Sequence, residues 1–297
     1  ALAKHTHLRP MMSLDNAFTP EELTAWEDRN ARITEDVRGG GYTTEVKIDG
    51  SAVSLTYRDG ALVSGATRGN GRVGELVTPN LRPLPDVPLR LQGRDHPPLL
   101  EIRGEVYLPR AAFERLNRER EEAGEPLYAN PRNTAAGSLK LLDPKTTRRR
   151  RLRMFAFHVE VIEGRLAVQS QWEVLELLAA WGFQVEPHRK RHPDLAAVHA
   201  EAERLQGQLK SLPFDADGVV VKVDRLALHA ELGVVGDREP RWAVARKFAP
   251  EVAVTRLLDI QVNVGRTGAL NPFAVLQPVE LGGVTVSSAT LHNEDLI

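Results

Sequence analysis

Glu45-Val46-Lys47-Ile48-Asp49-Gly50 alternates ionisable with apolar residues inside a longer run of strand-forming residues. On a strand, successive side chains point to opposite faces, so Glu45, Lys47 and Asp49 project together while Val46 and Ile48 turn to a core. Three ionisable groups on one face suit either a solvated edge strand or the wall of a cleft, and the hexapeptide alone divides the two evenly.

Other stretches repeat the arrangement and favour the cleft. Asp217-Gly218-Val219-Val220-Val221-Lys222-Val223-Asp224 embeds a lysine in a valine run that reads as a buried strand. A charge there costs several kcal/mol unless it meets an anion or opens onto a cleft. Trp242-Ala243-Val244-Ala245-Arg246-Lys247-Phe248 sets Lys247 at the end of an apolar stretch, and Glu101-Ile102-Arg103-Gly104-Glu105-Val106-Tyr107 carries Glu105 behind a glycine. Strand-borne Lys and Glu in this number suggest one cleft for a phosphorylated, hydroxyl-bearing ligand.

Around these strands, Thr19-Pro20-Glu21-Glu22 is a capping box that opens a helix with Leu23, Trp26 and Ile33 on its apolar stripe, ended by Gly39, Gly40 and Gly41. EVKIDGSAVSLTY and ALVSGAT read as a β-hairpin turning at Arg58-Asp59-Gly60. Helices are expected near 110–123, within 128–143, and near 171–181 and 194–209, with strands at LLEIRGEVYL, RMFAFHVEVI and DGVVVKVD. After about Glu251 only short β segments with glycine turns remain. The Arg148–Arg151 run reads first as a solvated face.

Length and composition limit the alternatives. With 297 residues, 42% hydrophobic and 27% charged, the chain is an ordinary globular one of one large or two smaller domains. It contains no cysteine, which excludes disulfides, Cys-zinc sites and thiolate catalysis within these residues. Lys plus Arg is 39 against 40 Asp plus Glu, so no global basic field announces nucleic acid. There is no apolar run of the ~18 residues a membrane helix needs and no signal-peptide core, so a cytoplasmic location without membrane contact is expected.

Gly69-Asn70-Gly71-Arg72-Val73-Gly74 matches a dinucleotide-binding fingerprint, but Glu75-Leu76-Val77-Thr78-Pro79 follows it in place of a useful helix, so a Rossmann site is rejected. The P-loop, zincin and α/β-hydrolase signatures are missing from the sequence.

KIDG at Lys47–Gly50, TRGNG around Arg68, RGE ending at Glu105, DGVVVK ending at Lys222 and WAVARKF containing Lys247 resemble, in order, the nucleotidyl-transfer motifs of DNA ligases and capping enzymes. PMMSLDNAF, YANPRNTAAGSLKLLDP, VGRTGALNPFAVLQPV and GGVTVSSATLHN resemble the NAD-dependent bacterial DNA ligases more closely than the ATP-dependent ones. The resemblance runs from about Leu8 to the C-terminus. It implies an α+β nucleotidyltransferase fold of antiparallel sheets flanked by helices over residues 1–252, then the first part of an OB fold over 253–297.

The same resemblance assigns Lys47 the covalent AMP, Ser13, Leu14 and Glu45 the adenine side of the pocket, Arg68 and Glu105 the ribose and phosphate surroundings, and Lys222 and Lys247 the α-phosphate. Asp49 matches the carboxylate of the lysine motif, a metal or lysine partner. NAD and Mg²⁺ are the implied small molecules, nicked double-stranded DNA the implied partner, and a monomer the implied state. The attacking amine must be unprotonated, and crowding by Arg68, Lys222 and Lys247 is expected to favour that form.

The family also carries a helical segment that grips the nicotinamide half of NAD, a complete OB barrel, a four-Cys zinc module, helix-hairpin-helix repeats and a BRCT domain. None is read in this sequence, so a fragment is expected that binds adenine nucleotides, charges itself from NAD slowly or not at all, and does not seal nicks. Two rivals stand beside this reading: an ATP- or GTP-using ligase or capping enzyme, and a nucleotide- or DNA-binding module without catalysis.

Overall fold

The computed structural model describes residues 1–249, 252–264, 270–281 and 284–291. Contacts divide it into two units, Ala1–Phe248 and Ala249–Ile297. The larger unit begins with β1 (Lys4–Thr6), β2 (Asp15–Ala17) and α1 (Pro20–Ala31). Four strands follow, β3 (Tyr42–Ile48), β4 (Ser51–Arg58), β5 (Ala61–Thr67) and β6 (Val73–Glu75), then the short α2 (Thr78–Leu81). Next come β7 (Leu99–Tyr107), α3 (Arg110–Glu122), α4 (Pro131–Leu139), α5 (Pro144–Arg150) and β8 (Arg153–Glu163). The unit closes with α6 (Gln171–Ala180), β9 (Lys190–His192), α7 (Leu195–Gln206), β10 (Ala216–Val223), α8 (Leu226–Leu232), the two-residue strands β11 (Val234–Val235) and β12 (Glu239–Pro240), and β13 (Ala243–Lys247).

Two sheets organise this unit, one of five strands in the order β2-β13-β10-β3-β9 and one of four in the order β5-β4-β7-β8. Every pairing in them is antiparallel except β2 with β13. Each sheet backs onto its own core. Leu55, Leu100 and Ile102 of the four-stranded sheet pack with Leu175 and Trp181, whereas Val46, Val219, Val221 and Val244 of the five-stranded sheet pack with Leu23, Trp26 and Val198. Burying Val219 and Val221 completely leaves Val220 and Lys222 on the opposite face.

Where Glu45 to Tyr57 reads as one arm of a hairpin, the chain instead changes sheets at Asp49-Gly50. β3 joins the five-stranded sheet and β4 the four-stranded one. Gly50 permits this crossing, because a Cβ there would lie 2.2 Å from the Val106 carbonyl oxygen. The tight turn comes later, between β4 and β5, with Asp59 and Gly60 at φ 48° and 79° as a two-residue hairpin turn requires. The rejected dinucleotide fingerprint is a turn leading into β6.

Helix starts follow their chemistry more closely than helix ends. Thr19 accepts the Glu22 N–H at 3.1 Å, and the Glu22 carboxylate reaches back to the Phe18 N–H, one residue beyond the expected Thr19. The helix stops at Ala31, well before the three glycines, so Ile33 falls outside it and is exposed. A 3-10 turn at Glu35–Gly39 separates the two. The arginine run is helical through Arg150, with Arg148, Arg149 and Arg150 in the last turn of α5, where cations complement the carbonyl end.

The smaller unit contains β14 (Leu257–Val264), β15 (Leu270–Leu281) and β16 (Val284–Thr290), three antiparallel strands in sequence order. Parts of the VGRTGALNPF and SSATLHN matches lie outside the described residues.

Candidate active site

A cleft of about 630 Å³ is lined by both sheets of the larger unit, by the segment around Ser13 and by α4. β3 and β10 form one wall. Lys47 lies opposite Gly218 and Glu45 opposite Val220, while Val46 pairs with Val219 on the core side. The expected grouping of Glu45 and Lys47 on one face is therefore present, and Lys222 joins them from β10. Ser13, Leu14, Arg68, Glu105 and Lys247 line the same cleft. Asp49 stands just beyond the end of β3, with its carboxylate 3.4 Å from Arg132 Nη1.

The electrostatics around Lys47 differ from the expected crowding by cations. Lys47 Nζ lies 3.3 Å from Asp217 Oδ1, so the group within ion-pair reach is a carboxylate. Asp217 gets there through a β-bulge: the pairing of β10 with β3 slips between Ala216 and Gly218, and the extra residue is Asp217. Lys222 is occupied elsewhere. Its Nζ is 3.7 Å from Glu45 Oε2 and stands 5.2 Å from the centre of the Phe157 ring.

Burial governs the other ionisable groups. It pushes the Glu45 carboxyl up to about 7 against the pull of Lys222, and lowers the Lys222 ammonium while Glu45 opposes the shift. Glu105 is likewise pushed up to about 7 by burial, with Lys47 and the Gly50 N–H, 3.2 Å away, holding it down. Burial also raises Asp49, opposed by Arg132 and reinforced by the neighbouring charge of Asp217. The Nε–H of Arg68 is buried without a hydrogen-bond partner among the described residues. An unpartnered cationic donor lining a cleft suits an anionic ligand.

Ser13 is held by its neighbours. Its N–H and its hydroxyl both donate to the Arg238 carbonyl, at 2.8 and 3.1 Å. Together with Leu14 it forms a rim to the cleft whose free polar capacity is small.

With this geometry in place, comparison with known proteins is decisive about kinship. The family model described as NAD-dependent DNA ligase adenylation domain matches residues 1–251. This chain belongs to the NAD-dependent DNA ligase family. The OB-fold domain model of the same ligases matches residues 254–297. A DNA ligase of Gemmatimonas aurantiaca is 54% identical over 299 residues, covering 100% of this chain and 43% of that protein. DNA ligases of Chloroflexus aurantiacus and Gluconacetobacter diazotrophicus are 52% and 50% identical, covering 99% and 100% of this chain and 43% of each relative. The chain thus spans less than half the length of these ligases.

Several residues in or beside this ligase-family cleft escape a reading of the sequence by motif. Asp217 opens the DGVVVK motif, but only the bulge reveals that its carboxylate faces Lys47. Phe155 and Phe157 line the cleft from β8, and their two-residue spacing in RMFAFHVEVI was the available signal. Glu186 lines the cleft beside Glu45 and accepts the Val46 N–H at 3.0 Å, where β9 no longer covers β3. No periodic pattern marks Glu186, because it sits in a connection.

Proposed function

We propose that this chain is the adenylate-transferring part of an NAD-dependent DNA ligase, with the domains bounded at residues 1–252 and 253–297. Lys47 Nζ attacks the α-phosphorus of NAD; a P–N bond forms, the bond to the bridging oxygen breaks, and nicotinamide mononucleotide leaves with AMP retained on Lys47. The observation that carries this reading is that Lys47, which lines a cleft with Lys222, Lys247 and Arg68, has the Asp217 carboxylate 3.3 Å away. Asp217 is placed to take the ammonium proton, and the three cations to offset charge on the phosphoryl oxygens.

Glu45, with Ser13 and Leu14, faces the adenine, and Arg68 and Glu105 face the ribose and phosphate. In the longer ligase, AMP then passes to the 5′-phosphate of nicked DNA and a 3′-hydroxyl displaces it. Magnesium takes one or two carboxylates together with substrate phosphate oxygens. Asp49, a carboxylate just beyond the lysine strand, supplies one such donor and would hold it, leaving Asp217 to the Lys47 proton. Bound there, the ion would neutralise charge on the transferring phosphate. The chain acts as a cytoplasmic monomer in this account; among the described residues no helix is long and apolar enough to cross a membrane.

Labelled NAD and labelled ATP, offered separately with Mg²⁺ to the longer ligase that contains these residues, test the reading. Covalent AMP is expected from NAD, and labelling from ATP in its place would overturn the choice of donor.

A further inference from the structure

The loop that enters β10 is wrapped around one side chain. Arg110, the first residue of α3, donates its Nε–H to Asp215 Oδ1 at 2.8 Å, and its Nη1 and Nη2 to the carbonyls of Lys210 and Leu209 at 2.5 and 3.3 Å. Its backbone N–H, one of the donors a helix start leaves without an internal partner, goes to the Pro213 carbonyl at 2.9 Å. One residue thereby ties down the backbone from 209 to 215.

The segment so held does two things beside Lys47. The Asp215 carbonyl accepts the Asp49 N–H at 2.9 Å, fixing the chain just after β3. Two residues further on comes the bulge that turns Asp217 toward Lys47, and the Asp217 carbonyl is pinned on its far side by the Phe248 N–H at 3.1 Å. A bulge interrupts the ladder, so its position depends on what grips the chain on either side. Phe248 grips one side and the Arg110 loop the other.

We infer that Arg110 is a positioning residue for Lys47: by holding residues 209–215 it sets the bulge that aims Asp217 at the amine and the turn that places Asp49. The inference rests on the proposed function. Arg110 is not among the residues that line the cleft. Its planar fork engages three acceptors at once, which the point charge of a lysine cannot reproduce.

The test compares the full chain with Arg110→Lys and Arg110→Ala. The probe is adenosine 5′-phosphorimidazolide, an activated adenylate whose leaving group needs no help from protein contacts. Formation of the Lys47 adduct is followed by intact mass across probe concentrations with Mg²⁺, and amide hydrogen exchange is measured on the same proteins.

Arg110→Ala is expected to lower the maximal rate by on the order of tenfold, with the half-saturating concentration changed less than about twofold, as lost alignment without lost binding requires. Arg110→Lys falls between. Exchange in peptides covering 47–50 and 212–218 quickens in Arg110→Ala while α6 stays protected. Wild-type charging rates in Arg110→Ala, or unchanged exchange in those two peptides, would overturn the inference. A wild-type chain that accepts no AMP from the probe would overturn the proposed function instead, and the exchange result would still decide whether Arg110 holds the bulge.

Discussion

Lys222 Nζ and Glu45 Oε2 stand 3.7 Å apart on neighbouring strands, diagonally across the ladder, because Glu45 lies opposite Val220 and Lys222 opposite Thr43. Both side chains are buried. Two opposite charges withdrawn from water hold each other in place, and removing one leaves the other without compensation.

Lys222→Met is therefore expected to destabilise the chain by about 3 kcal/mol, because it strands the Glu45 carboxylate. Adding Glu45→Gln should recover at least half of that loss. Urea denaturation of the single and double variants measures it, and additive losses would show that the two side chains do not act as a pair. Lys222→Met should also slow AMP transfer by on the order of 100-fold, since it removes a cation facing the phosphate.

The raised Glu45 carboxyl has a definite consequence for pH. Between its ordinary value of 4.5 and about 7, the folded chain binds this proton more tightly than the unfolded chain does. The contribution is fully present below 4.5 and is lost as pH rises through about 7. The stability of the wild type relative to Glu45→Gln should accordingly fall, by on the order of 2–3 kcal/mol, from acid to neutral pH. Denaturation curves of both proteins at intervals from pH 5 to 7.5 test this, and a constant difference would mean that Glu45 is not perturbed.

Gly50→Ala should break the crossing between the two sheets. The new methyl would lie 2.2 Å from a backbone oxygen of β7, which cannot swing aside as a side chain can. A loss of about 1–3 kcal/mol is expected, along with slower AMP transfer, because the shift falls between Lys47 and Glu105. A variant as stable and as active as the wild type would show that the turn has slack.

The strands that carry the cleft were legible because alternation is a local property. Val46 and Val219 point one way and Glu45 and Lys222 the other whatever the rest of the chain does. The capping box at Thr19 and the turn at Asp59-Gly60 were legible for the same reason. What could not be read depends on partners distant in sequence. The change of sheet at Gly50 is set by Val106, the aim of Asp217 by a bulge against β3, and the occupation of Lys222 by Glu45. That Lys47 and Lys222 each have a carboxylate within ion-pair reach could not be read either, because Asp217 and Glu45 reach them only across the strand pairing.

Peptide mapping after exposure to adenosine 5′-phosphorimidazolide and Mg²⁺ shows whether Lys47 is the nucleophile. The probe supplies the adenylyl group without relying on contacts to a nicotinamide half, so the outcome reports on the cleft alone. One adenylyl group is expected on Lys47, joined by an acid-labile P–N bond, and none on Lys47→Arg, whose guanidinium keeps its proton and cannot attack phosphorus. No adduct on the wild type, an adduct on a different residue, or undiminished labelling of Lys47→Arg would contradict it.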